Sequence, residues 1–332
     1  MAVAASYTLA ASFAWALVGL YVHGEGHVPW QFSAGVTAVV VTCIVSASLH
    51  SLWQLREPGP AIAELLGARE VEPGRCTPLE RRLANVVEEM AIASGVRVPA
   101  LYIMDGERGV NALVAGYDPH EAVIVATEGL VRELSREELQ GVMGHEFSHI
   151  LNGDMALNVR LAGVLAGLSW LGDRGEALVL EVAEQRVPSA ERGLSAITAV
   201  FGTALALIGF PGRLAAEAIK AAISRERELL ADAASVQFTR DADAIAGALD
   251  TLLARHMPTS ILAASAGFLS HMFFAEAVSR WWSFPAHPPL EERIRRVNPR
   301  FQRADYRARR NGEQPHEYAV FDDVGNIVKI AR

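Results

Sequence analysis

The sequence predicts a mainly α protein with a small β-sheet and about four transmembrane helices. Two runs near the N-terminus, 1–22 and 31–52, contain no Asp, Glu, Lys or Arg. Three short apolar runs, 100–104, 110–115 and 122–127, have strand length and are bounded by turn residues. The other apolar residues recur mainly at helical spacing, and the best-defined helix carries His145-Glu146-Phe147-Ser148-His149.

Each element follows from its own residues. At about 1.5 Å per residue, a helix of about 22 residues reaches about 33 Å, enough to cross a bilayer core of about 30 Å. Trp30 and Trp53 bracket the second run, where aromatic side chains sit at a membrane interface. The first run has no basic stretch and another apolar run follows at once, so it reads as a span rather than a cleaved signal. Pro58-Gly59-Pro60 reads as a linker. Residues 77–94 form an amphipathic helix through Leu79, Leu83, Val86, Val87, Met90 and Ile92, stopped by Gly95. Residues 100–104 are a strand, and 110–115 with 122–127 make a hairpin turning at Asp118-Pro119-His120.

Ser135 and Glu138 form a capping box at the start of the His145–His149 helix, and Asn152-Gly153 ends it. Residues 155–172 and 194–212 read as a second membrane hairpin. Asn158 and Arg160 interrupt its first arm, so a core or interfacial helix is the alternative there. Residues 173–192, rich in Asp, Glu and Arg, are the expected loop in water, and Pro211 marks a kink or an end. Helices are expected through 225–236 and 241–253, with a strand pair near 318–321 and 327–330. The chain thus divides into an N-terminal hairpin (1–53), one half of a polar domain (54–154), the second hairpin (155–212), the other half (213–300) and an Arg-rich tail (301–332).

Of the 332 residues 51% are apolar, and mean hydropathy is +0.20, high for a soluble enzyme. A net charge of −8 gives no basis for nucleic-acid binding. Cys43 and Cys76 make neither a disulfide framework nor a cysteine metal site, and free thiols agree with a reducing compartment. The link 23–30 has no Arg or Lys, whereas Arg56, Arg69, Arg75, Arg81 and Arg82 follow the second run. Positive charge stays on the cytoplasmic side, so the polar domain and the C-terminus are expected there. The spans carry few ionisable groups, which argues against a transporter.

The central motif has a definite chemistry. Residues four apart on a helix share a face, so His145 and His149 can reach one Zn²⁺. Glu146 then stands beside an activated water as general base. A catalytic zinc usually takes three protein ligands, so two His leave the set incomplete. Asp154 is one candidate. The run 224–232 is a better one, because Glu228 and Asp232 lie four apart on one helical face. One carboxylate suits the metal and the second a ligand imidazole's other N–H. A solvated charged helix face is the alternative for that run. Asn111 opens an apolar strand, and on a sheet edge it can fix a substrate backbone paired by β-augmentation. A turn residue is the alternative there.

These segments resemble, in order and spacing, the membrane zinc metallopeptidases related to HtpX and to the CAAX prenyl protease. The resemblance covers about 61–301, with the N-terminal hairpin in outline. Val110-Asn111-Ala112-Leu113 stands where the family has Asn-Ala-Phe, with Leu113 replacing the aromatic. The segment 138–154, ending His149-Ile150-Leu151-Asn152-Gly153-Asp154, is close to the family's form. Ser224 to Asp232 resembles S-R-x-R-E-x-x-A-D, and Ala286 to Ile294 resembles H-P-P-x-x-x-R-I.

The resemblance implies an α+β zincin-like domain and a zinc endopeptidase of the gluzincin type. His145, His149 and Glu228 would hold one Zn²⁺, with Asp232 steadying a ligand imidazole and Glu146 as base. His287 and Arg293 are candidates for the oxyanion donor, with packing as their alternative role. Asn111 and Ala112 are the expected substrate contacts. The implied task is quality control of unfolded or misassembled membrane proteins in a bacterial inner membrane, with the catalytic domain in the cytoplasm. Four spans place the chain nearer HtpX than the CAAX protease, so prenyl-protein processing is the alternative within enzymes. A zinc-stabilised membrane scaffold or chaperone is the alternative outside them. Glu146 argues against that scaffold, because a structural site needs no base.

Overall fold

The computed structural model describes residues 28–184, 192–254, 261–277, 287–312, 318–321 and 327–331, with 5, 7–9, 11, 12, 15, 16, 259, 284 and 285 besides. The expected first span, 1–22, lies largely outside the described residues. In chain order the described elements are α1 (Trp30–Gln54), α2 (Pro58–Leu65), β1 (Arg69–Glu70), α3 (Pro78–Ser94), β2 (Ala100–Met104), β3 (Ala112–Ala115), β4 (Val123–Thr127), α4 (Glu128–Glu133) and α5 (Arg136–Leu151). There follow α6 (Asp154–Glu184), α7 (Arg192–Thr239), α8 (Ala242–Ala254), α9 (Leu290–Val297), α10 (Arg303–Gly312), β5 (Tyr318–Phe321) and β6 (Ile327–Ala331). The chain is mainly α with a small sheet, as its sequence predicts.

Three described segments are long and apolar enough to cross a membrane: Trp30–Gln54, Asp154–Ala183 and Ser195–Thr239. Trp30 and Trp53 stand exposed at opposite ends of α1, where a bilayer interface accommodates aromatic rings. α6 and α7 pack backbone to backbone: a Cβ on Gly209 would lie 2.1 Å from the Gly172 nitrogen. Small residues permit that approach between helices in lipid.

Three expectations change. Residues 173–184 continue α6 instead of forming a loop, because Asp173 and Glu176 ion-pair with Arg213 of α7. The Arg213 guanidinium offsets part of their charge across the hairpin. α7 runs unbroken through Pro211 and on through 225–236, so packing against α6 outweighs the hydrogen bond that proline removes. Pro58-Gly59-Pro60 opens α2 rather than linking, since proline at a helix start presets the helical φ.

The four-stranded sheet has the order β1-β2-β4-β3. β2 and β4 are parallel, and β3 returns antiparallel to β4 as the expected hairpin, with Leu113 opposite Val125. Both faces are buried. Ile124, Ala126 and Val114 face one core with Leu83, Val87, Val142 and Phe147. Val123, Val125 and Leu113 face a second with Ile62, Val159 and Phe273. This explains why the strands read as continuous apolar runs without polar alternation.

The capping box predicted for α5 is present: Ser135 Oγ accepts from Glu138 N, and Glu138 Oε2 accepts from Ser135 N at 2.8 Å. Glu138 is fully buried and also takes Tyr306 and Arg310 of α10. Arg307 pairs with Asp250 at 2.7 Å, so the Arg-rich segment is docked on α8 and the start of α5. Gly141 and Gly144 let α5 approach its neighbours closely. A Cβ on Gly141 would lie 2.5 Å from the Ile245 nitrogen of α8, and one on Gly144 2.9 Å from Ser235 Oγ of α7. Ser235 Oγ also donates to Gly141 O at 2.6 Å. That contact brings the Glu228–Asp232 face of α7 against His145.

Gly141→Ala is therefore expected to push α8 away and cost about 1–3 kcal/mol by overpacking. Thermal unfolding of the detergent-solubilised protein measures it, and an unchanged Tm would contradict this packing.

Candidate metal centre

α5 ends where the site needs it to. Its last three turns carry His145, Glu146 and His149, all buried. Asn152 and Gly153, the latter at φ 72, turn the chain at once into α6. Glu228 comes from α7, also buried. One ligand atom from each of His145, His149 and Glu228 lies within 4.8 Å of the others. The two Nε2 atoms are 3.1 Å apart; Glu228 Oε2 is 3.7 Å from His145 Nε2, and Oε1 is 3.6 Å from His149 Nε2.

The far side of each imidazole is fixed. His145 Nδ1 donates to Asp232 Oδ1 at 2.9 Å, and His149 Nδ1 donates to Asp154 Oδ2 at 3.2 Å. Both bonds leave an Nε2 lone pair directed at the cluster, the arrangement metal-binding histidines use. Asp154 was the weaker ligand candidate in the sequence; it orients His149 instead. Its signal was legible in principle: Gly153 reverses the chain, so the next carboxylate folds back on the helix end. Asp232 is held by Arg293, whose Nε and Nη2 donate at 2.8 and 2.7 Å.

Arg293 is fully buried, and its third nitrogen, Nη1, donates to Phe274 O at 2.7 Å. In this conformation all three of its nitrogens hold protein acceptors, through three of the five N–H groups, so here it acts on Asp232 and Phe274. Phe274 was not marked by the sequence. Its ring lies 4.7 Å from the Arg293 guanidinium and meets the His145 ring edge-on at 5.1 Å. His287 Nδ1 bonds Glu228 Oε2 at 3.0 Å, and its Nε2 is buried with no hydrogen bond.

Asn111 and Ala112 sit at the start of β3, but not as open substrate contacts. Asn111 Nδ2 donates to Thr259 O and Ala275 O, both at 2.9 Å, and Asn111 Oδ1 accepts from Ala275 N at 3.0 Å. Ala112 O accepts from Phe274 N at 2.8 Å. Their hydrogen-bonding capacity is taken by the chain itself.

The electrostatics ask for a cation. Burial pushes the Glu146 carboxyl up to about 8, and neither of its oxygens makes a hydrogen bond, although the Val114 N–H lies close enough to favour its charge. For His149, burial disfavours protonation, but the bonds to Asp154 and Glu228 outweigh it and lift it to about 10. Burial pushes the His145 imidazole down, against the pull of Asp232. The raised His149 value marks the cluster as a place that favours positive charge. A divalent cation meets that demand better than a single proton, and two imidazoles with one carboxylate are a fitting donor set.

The model of peptidase family M48 matches residues 78–300. The chain belongs to peptidase family M48. A protease HtpX homolog of Caldanaerobacter subterraneus subsp. tengcongensis is 34% identical over 282 residues, covering 81% of this chain and 86% of the relative. A protease HtpX homolog of Streptococcus pneumoniae is 33% identical over 273 residues, covering 80% and 87%. A crystal structure of S. mikatae Ste24p aligns with 88% of this chain and 61% of its own, at 15% identity and a TM-score of 0.42. The M48 match spans α3 to α9 and so contains the whole metal cluster. With its apolar helices, the chain is a membrane metallopeptidase by family.

Two measurements test the centre. Asp232→Asn should lower metal affinity about 10–100-fold by loosening His145; unchanged affinity by competition with a chromogenic chelator would contradict that. Without metal, Glu146 and His149 both have folded values above their ordinary 4.5 and 6.5. Their contributions are complete below those values and are lost as pH rises through about 8 and 10. The Tm of metal-free protein is thus expected to fall from pH 6.5 to 10, and Glu146→Gln to remove the portion up to about 8. A flat profile would show that these shifts are absent.

Proposed function

We propose that the protein is an integral-membrane zinc endopeptidase acting on unfolded or misassembled membrane proteins. One observation carries the reading. Next to three converging ligand atoms, Glu146 keeps both carboxylate oxygens buried and without hydrogen bonds. Interior carboxylates are normally satisfied, so this one is reserved for a partner that arrives with the reaction.

His145, His149 and Glu228 would hold zinc, which would supply Lewis acidity toward a scissile carbonyl and a water. The protein's own groups do the rest. Glu146, with a raised pKa, takes a proton from water and passes it to the leaving amine. Asp232 and Asp154 hold the two imidazoles in the tautomer that points Nε2 inward. Arg293 is a positioning residue that keeps Asp232 charged and fixed. His287, anchored on Glu228 through Nδ1, offers Nε2 to the developing oxyanion when its ring is protonated. His145 and His149 stand just before α6 and Glu228 lies in the C-terminal part of α7, so the chemistry sits at the root of two membrane-crossing helices. Segments leaving the bilayer in unfolded form are the substrates this placement suits. The protease names of the relatives support the reading.

Glu146→Gln should retain zinc and lose about 10²–10⁴-fold in cleavage of a casein-type substrate in detergent. Wild-type cleavage by that variant would remove Glu146 from the mechanism. Glu228→Ala should lose the metal, and full zinc occupancy would return the third-ligand role to another group.

A further inference from the structure

β3 is an edge of the sheet: β4 pairs with one side only. Its other side lies toward α5, with the Val114 N–H beside the Glu146 carboxyl. A strand added to that side would run past the proposed base, as β-augmentation of an extended peptide requires. The side is already taken. Phe273 forms an antiparallel bridge with Leu113, Phe274 N donates to Ala112 O at 2.8 Å, and the Asn111 amide clasps Ala275 through both its N–H and its C=O. These contacts use backbone atoms on the 272–275 side, so they are indifferent to its sequence.

We propose that residues 272–275 occupy the strand site that substrate must take, so that the described conformation is a self-blocked form of the enzyme. This deepens the peptidase reading and rests on it. Asn111 and Ala112 then keep the substrate-binding role expected of them, exercised here on the chain's own strand. A displacing substrate would make the same main-chain bonds, so that part of the exchange is nearly neutral. What holds the segment is elsewhere, first in Arg293 Nη1, which donates to Phe274 O at 2.7 Å. Phe273 and Phe274 are buried in the two cores. Lys220 Nζ donates to Gly267 O at 2.9 Å and to Ser270 Oγ at 3.2 Å, and His271 Nε2 donates to Asn158 O at 3.1 Å. Lys220 lies on α7 and Asn158 on α6, so the blocking segment is fastened to the two membrane-crossing helices. The occupant defines the substrate class: an extended strand with bulky apolar side chains at successive positions, as in Met272-Phe273-Phe274-Ala275.

Leu113 and Phe273 form the non-hydrogen-bonded kind of antiparallel pair, with Cα atoms about 4.5 Å apart, within the range a disulfide spans. The test is full-length Leu113→Cys/Phe273→Cys with Cys43→Ser and Cys76→Ser, in detergent, with Glu146 intact for cleavage and as Glu146→Gln for binding. The probe is a fluorescent peptide containing Met-Phe-Phe-Ala. Oxidised protein should keep its zinc, bind the probe at least about tenfold more weakly and stop cleaving, with dithiothreitol restoring both. Phe273→Ser, which loosens the segment, should bind the probe several-fold more tightly. Equal binding by oxidised and reduced forms, or no gain from Phe273→Ser in metal-loaded protein, would overturn the proposal. Redox-gated binding without cleavage by any Glu146 form would instead overturn the peptidase reading and leave the block standing.

Discussion

The site depends on the buried pair between Arg293 and Asp232. Both side chains are almost wholly out of solvent, and two bonds of 2.7 and 2.8 Å join them. Charges that deep persist only if each satisfies the other. Asp232 also fixes His145, and Arg293 also holds the Phe274 carbonyl. Four separate stretches of chain, α5, α7, α9 and the 269–277 segment, therefore meet at one ion pair. Removing either partner would leave an uncompensated charge beside the metal ligands.

That arrangement explains why the ligands come from both sides of a membrane hairpin. α5 supplies two imidazoles on a rigid, doubly capped helix. α7 supplies the carboxylate on a helix that continues into a membrane-crossing segment. Gly141 and Gly144 set the distance between them, and the metal centre joins the two polar halves. The same junction holds the strand lying along β3, so access to the base and fixation of the ligands share one set of contacts.

Much of this was legible in the sequence. The cap at Ser135, the β3–β4 hairpin and the face shared by Glu228 and Asp232 follow from local chemistry and helical spacing. Resemblance to a family ordered them into one site. What was not legible depended on contacts between distant segments. The length of α6 escaped because Asp173 and Glu176 look like solvated loop residues until Arg213 is opposite them. The role of Asp154 escaped because it follows a helix stop, and only the turn at Gly153 brings it back. Phe274 escaped because the 261–277 stretch has no helical or strand period; its place is set by Arg293 and β3. Asn111 was found, but its partners in the folded chain were not foreseeable from its strand alone.

The central claim is that two imidazoles and one carboxylate, brought together by the Arg293–Asp232 junction, form the metal site. X-ray absorption at the zinc edge of the purified, metal-loaded protein tests this most directly. The account predicts a shell of two imidazole nitrogens with the remaining ligands oxygen. A third imidazole, which would have to be His287 leaving Glu228, or any sulfur ligand, would contradict it.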